Sequence, residues 1–137
     1  MKKLLSLCVA VLLLGACSSD DDKSSSAVNL DQLAKRWYPV SSKIGNNTIP
    51  YDGHLSCGKD YLEFTANSTV VRDVDYVDCQ TDAVVSSGVY SVTNNTLTTT
   101  INNETIVYDV KRLNSSALQM EATFNGTKIL YIFTSTP

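Results

Sequence analysis

The residues with the most chemistry open to them are four cysteines, Cys8, Cys17, Cys57 and Cys79, and a single histidine, His54. No Cys-x-x-Cys occurs, which leaves little basis for a zinc site or a dithiol redox pair. His54 lies in a Gly-flanked loop beside Asp52. Metal binding or general-base work needs partners at defined spacing, and the sequence supplies none. Asp73, Asp75, Asp78 and Asp82 form the densest acidic group. Grouped oxygens hold Ca²⁺, but the EF-hand spacing and its glycine are missing, so these residues read as a solvated acidic face. Val70, Arg72, Val74 and Tyr76 alternate with Val71, Asp73, Asp75 and Val77. If the face with both Asp meets solvent, Arg72 points inward, where it needs an anionic partner or ligand unless it snorkels to water. No serine elbow or phosphate loop is present. The expectation is a chain without catalytic residues, metal or cofactor.

The amino terminus reads as an address. Lys2 and Lys3 precede an apolar run, Leu4 to Leu14, broken only by Ser6. That run is shorter than the roughly 20 residues that span a bilayer as a helix. It fits the apolar region of a secretory signal. Leu14-Gly15-Ala16-Cys17 then resembles the bacterial lipobox, which implies cleavage before Cys17 and acylation of that residue. Several acyl chains at about 0.8 kcal/mol per buried CH₂ hold a protein on a membrane. Residues 1–16 are therefore expected to be a signal peptide, with 17–27 a Ser- and Asp-rich tether. Ser19-Asp20-Asp21-Asp22 resembles the acidic export signal of Bacteroidetes surface lipoproteins. The implied location is the cell envelope, on the outer membrane, with display on its outer face in view.

The chain has 137 residues, enough for one domain, with 43% apolar residues to form its core. Eleven basic against fourteen acidic side chains, a net charge of −3, argue against nucleic acid as a partner. Without Lys2 and Lys3 the balance is more acidic still, so attachment to the membrane falls to lipid rather than to basic residues.

Residues 28–137 read as strands and turns. Asn29 is placed to cap a short helix, 30–35. Turn signals then recur at Gly45-Asn46-Asn47, Asn67-Ser68, Asn94-Asn95, Asn102-Asn103, Asn114-Ser115 and Asn125-Gly126. The six Asn-x-Ser/Thr sequons at Asn46, Asn67, Asn94, Asn103, Asn114 and Asn125 are the same signal: Asn in the turn, then a β-branched residue opening a strand. Between them lie runs rich in Thr, Val, Ile and Tyr, which place eight strands at 37–43, 60–66, 69–77, 84–92, 96–101, 105–112, 117–123 and 127–134. Leu62 and Phe64 share a face, as do Ile106, Tyr108 and Val110, and Leu118, Met120 and Ala122. Short connections favour an all-β, antiparallel, up-and-down barrel, with a two-sheet β-sandwich as the alternative.

The order of elements carries a resemblance. Leu33-x3-Trp37, Cys57-x2-Asp60-x3-Phe64, Cys79, Gly88-x-Tyr90-x-Val92-x2-Asn95-x-Leu97, Leu118-x-Met120 and a terminal aromatic strand at Tyr131 are similar to the lipocalin-like lipoproteins of Bacteroidetes. The resemblance implies an eight-stranded barrel with Trp37 plugging its closed end and no catalytic motif. The spacer Ile44 to Ser56, with Pro50 and His54, looks like a mouth loop.

With Cys8 removed and Cys17 acylated, Cys57 and Cys79 are left as an even pair in an oxidising compartment, where a disulfide is expected. It would pin the open ends of a hairpin and close a loop of about 23 residues, worth roughly 3 kcal/mol. An eight-stranded barrel can enclose one small ligand. Its lining is expected from Tyr90, Tyr108, Met120, Tyr131 and Phe133, with Arg72 as an anion partner. Two functions follow: a monomeric module binding a small apolar or amphipathic ligand, or a filled barrel meeting protein or glycan through its loops. Metabolic labelling with an alkyne fatty acid tests the address. The full-length chain should take up label, and Cys17→Ser should lose it.

Overall fold

The computed structural model describes residues 27–137. The signal segment, Cys17 and the acidic run after it lie outside the described residues. α1 spans Leu30–Leu33, and β1 to β9 follow at Arg36–Ile44, Asn47–Pro50, Tyr61–Phe64, Val70–Asp75, Val84–Thr93, Thr96–Ile101, Glu104–Leu113, Ala117–Phe124 and Thr127–Thr134. Asn29 caps α1, its side-chain oxygen accepting the N–H groups of Asp31 and Gln32.

The nine strands form one antiparallel sheet in the order β2-β1-β3-β4-β5-β6-β7-β8-β9, and β1 pairs with β9 to close it. Eight strands make an up-and-down barrel, and β2 is an addition. β1 shares one edge between two partners: Arg36 and Trp37 pair with β3, while Ser41 to Ile44 pair with β2. The spacer from Ile44 is thus partly strand. Asn47-Thr48-Ile49-Pro50 is too short and too polar to announce itself, and it holds its place by hairpin register alone. The tight turns confirm the role of Asn. Asn102 and Asn103 both have positive φ, as do Asn125 and Gly126, the backbone of two-residue hairpins whose twist matches their strands.

One end of the barrel is sealed. Trp37, Phe64, Leu33, Leu97, Leu118, Met120 and Val71 are fully buried there. The Trp37 indole N–H donates to the Leu33 carbonyl at 2.9 Å, so the plug carries no unpaired polar group. The Val28 N–H donates to the Asn94 carbonyl, and Lys35 reaches the Ser115 carbonyl, drawing the chain entering β1 across the end. At Gly88 a Cβ would sit 1.9 Å from the Thr100 carbonyl oxygen, so β5 and β6 approach too closely there for any side chain. Among the described residues no helix is long and apolar enough to cross a membrane. Trp37→Ala should cost about 3–5 kcal/mol in a urea melt followed by circular dichroism, because it empties the fully buried plug.

Candidate functional site

The other end is open. The β1–β2 hairpin, the loops 51–60 and 76–83, and the turns after β6 and β8 surround it. Along each strand the inward side chains change from polar at this mouth to apolar at the floor. On β4 they run Asp75, Asp73, Val71; on β5, Ser86, Gly88, Tyr90; on β7, Glu104, Ile106, Tyr108. The upper interior holds a cavity of about 470 Å³ that opens at the mouth. Asp73, Asp75, Thr99, Ile106, Tyr108, Tyr131 and Phe133 are among the residues that line it, and no Lys or Arg of the described residues does. Tyr108 and Tyr131 meet edge to face, with ring centroids 6.2 Å apart.

A polar network fixes the loop 51–60 at the rim. Asp60 is buried, with 5% of its surface exposed. Its carboxylate accepts the Tyr51 hydroxyl and, at 2.7 Å, the Tyr76 N–H. The Asp60 N–H donates to His54 Nδ1 at 3.2 Å, so the ring proton is on Nε2, which donates to the Pro39 carbonyl at 2.9 Å. The Cys57–Cys79 disulfide, with Cα atoms 5.6 Å apart, ties this loop to the one between β4 and β5. The expected bridge is present and pins two sides of the mouth.

Burial shifts the acids and phenols of the interior. Asp73 is pushed up to about 6 by burial, then by the neighbouring charges of Asp75 and Asp60. Asp75 is raised by burial and by Asp60. Burial raises Tyr108 to about 12, with Tyr131 adding to it, and Tyr51 is raised by burial and its bond to Asp60. Asp78 moves the other way, because the N–H groups of Gln80 and Thr81 hold its exposed carboxylate in a turn.

A lipocalin-like domain model matches residues 33–120. The chain belongs to the lipocalin-like domain family. No curated protein matches the chain. A lipocalin-like protein from Bacteroides uniformis superposes with a TM-score of 0.56 at 13% identity, covering 73% of this chain and 96% of its own. An uncharacterized protein from Bacteroides eggerthii gives 0.56 at 11% identity, covering 75% and 98%. These likenesses concern the fold.

Within the lipocalin-like barrel, the expected lining residues divide. Tyr108, Tyr131 and Phe133 face the cavity. Tyr90 and Met120 do not: Met120 is fully buried, and Tyr90 packs edge-on against Phe64 at 5.1 Å, both in the floor. Arg72 is corrected outright. It points outward, half exposed, and pairs with Glu63 at 3.2 Å. Asp73 and Asp75 accordingly lie on the cavity side of β4 instead of on an outer face, Asp73 half-buried and Asp75 exposed at the mouth. Alternation had sorted β4 into its two faces correctly; the assumption that carboxylates must meet bulk solvent inverted them. Asp78 and Asp82 stay on the exposed loop. No group of three metal-ligating side chains forms among the described residues.

Tyr51 and Asp60 went unrecognised as site residues. The signal for Asp60 was its place between Cys57 and an apolar strand, where an acid is out of character unless its oxygens are claimed. The raised Asp73 disfavours its charged form in the fold. That form costs stability above about pH 6, and the cost vanishes as pH falls toward the unfolded carboxyl range near 4. Asp73→Asn should therefore stabilise at neutral pH and not near pH 4. The gain should be about 1 kcal/mol, well under the full value of the shift because water reaches the carboxylate. Denaturant titrations at the two pH values check this.

Proposed function

We propose that this chain is a lipid-anchored cell-envelope lipoprotein of the outer membrane. Its barrel, as a monomer, takes up a small amphipathic ligand and does no chemistry on it. The observation that carries the reading is the cavity. At about 470 Å³ it falls within the range of small-molecule sites, and it combines an aromatic wall with a few polar groups at one end. A barrel filled by its own side chains, contacting partners only through loops, would leave no such space. The address rests on the leader: a basic start, a short apolar run and the lipobox at Cys17.

Binding rather than catalysis fits the groups on the rim. His54 and Asp60 are used up in hydrogen bonds to backbone groups and to Tyr51. Native mass spectrometry on the barrel domain purified from its own host is the test. The expected result is a single small adduct that dissociates on activation. Repeated preparations free of any adduct would count against ligand binding.

A further inference from the structure

Charge divides this barrel into an inside and an outside. On the outer faces of the strands, carboxylates have cations. Glu63 takes both Arg36 and Arg72, and Glu121 takes Lys111 and Lys128. Toward the mouth, half-buried Asp73 and the solvent-reached Asp75 and Glu104 line the cavity, and among the described residues neither Asp73 nor Asp75 has an ion pair or a hydrogen bond to its side chain. The cation–π contacts of the described residues, Lys35 with Trp37 and Arg36 with Tyr61, also leave the cavity tyrosines Tyr108 and Tyr131 without a cation. The carboxylates alone do not make the site. The cavity does, open at the mouth, and its lining sets which sign of charge can enter.

We propose that the ligand of this cavity is a small organic cation: a protonated or quaternary amine carried on an apolar body. This rests on the reading of the cavity as a ligand site. The ammonium would sit beside Asp73 and Asp75, against the tyrosine faces, which attract cations. The apolar body would extend toward Ile106 and Phe133. An anionic ligand is excluded by the same lining, since a like charge among these acids in a partly dry space is unfavourable. A neutral ligand leaves the carboxylates unpaired. The amine offsets the burial, and after it the neighbouring charges of Asp75 and Asp60, that together press Asp73 toward its neutral form. Asp73 is faced by Asp75 on its own strand, by Asp60 and Tyr51 from the rim loop, by Glu104 and Tyr108 on β7 and by Tyr131 on β9, and none of these is a cation.

The test uses three probes that share a phenyl body and differ in head group: 2-phenylethylamine, 2-phenylethanol and 3-phenylpropionate. The barrel closes on its own core, so the soluble chain from Ser18 onward is the material, titrated calorimetrically. At neutral pH the amine should bind about tenfold more tightly than the alcohol, with the propionate weakest. The preference should shrink near pH 5, where the amine keeps its proton and Asp73 gains one. The double variant Asp73→Asn, Asp75→Asn should level amine and alcohol while alcohol binding persists. Alcohol or propionate binding at least as tightly as the amine, or a preference that survives the double variant, overturns the cation and leaves ligand binding standing. Binding of none of the three overturns both.

Discussion

The pairing of β1 with β9 is the interaction on which the rest depends. It turns a nine-stranded meander into a closed barrel, leaving β2 as the addition outside the ring. Once closed, every inward side chain of eight strands shares a single narrow space. Such a space can be filled or left open, and this chain does one at each end. Trp37 and the fully buried residues around it fill the floor. Toward the mouth the inward residues become Ser86, Thr99, Asp73, Asp75 and Glu104, which cannot pack dry against one another, and a cavity remains.

That division of labour explains where stability resides. The outer ion pairs of Arg36, Arg72, Lys111 and Lys128 are solvent-exposed, and such pairs are worth about 0–1 kcal/mol each. The sealed floor, the closed hydrogen-bond ring and the disulfide carry the fold. The mouth works against it, holding an acid near pH 6 where an exposed one would titrate near 4. Unfavourable charge kept inside a stable scaffold is a common mark of a site shaped for something that the chain itself does not contain. The strap of Tyr51, His54 and Asp60 reaches the rim from a different direction, fixing a long loop by pairing the polar side chains of all three.

Much of this was legible in the residues. The Asn-rich turns fell where hairpins form, because Asn and Gly accept the positive φ those turns need. The alternation of Ile106, Tyr108 and Val110, and of Leu118, Met120 and Ala122, gave the inward faces correctly. Cys57 and Cys79 were paired by elimination, and the bridge forms. What failed was depth. Tyr90 and Tyr108 look alike as inward aromatics, yet one lies in the floor and the other on the cavity wall. Their distance along the barrel axis depends on the stagger of neighbouring strands, which no single strand records.

The sequence by itself determined the eight strands of the barrel, the turns and which residues share a face. Those are local properties: a period of two and a tolerated φ. Only the tertiary structure decided which face of β4 is inside and which end of the barrel is open. Arg72 and Asp73 show why. Adjacent residues on one strand must point opposite ways, but nothing in β4 alone says which way is inward. Closure of the sheet set that direction, and it placed the carboxylates within and the arginine without.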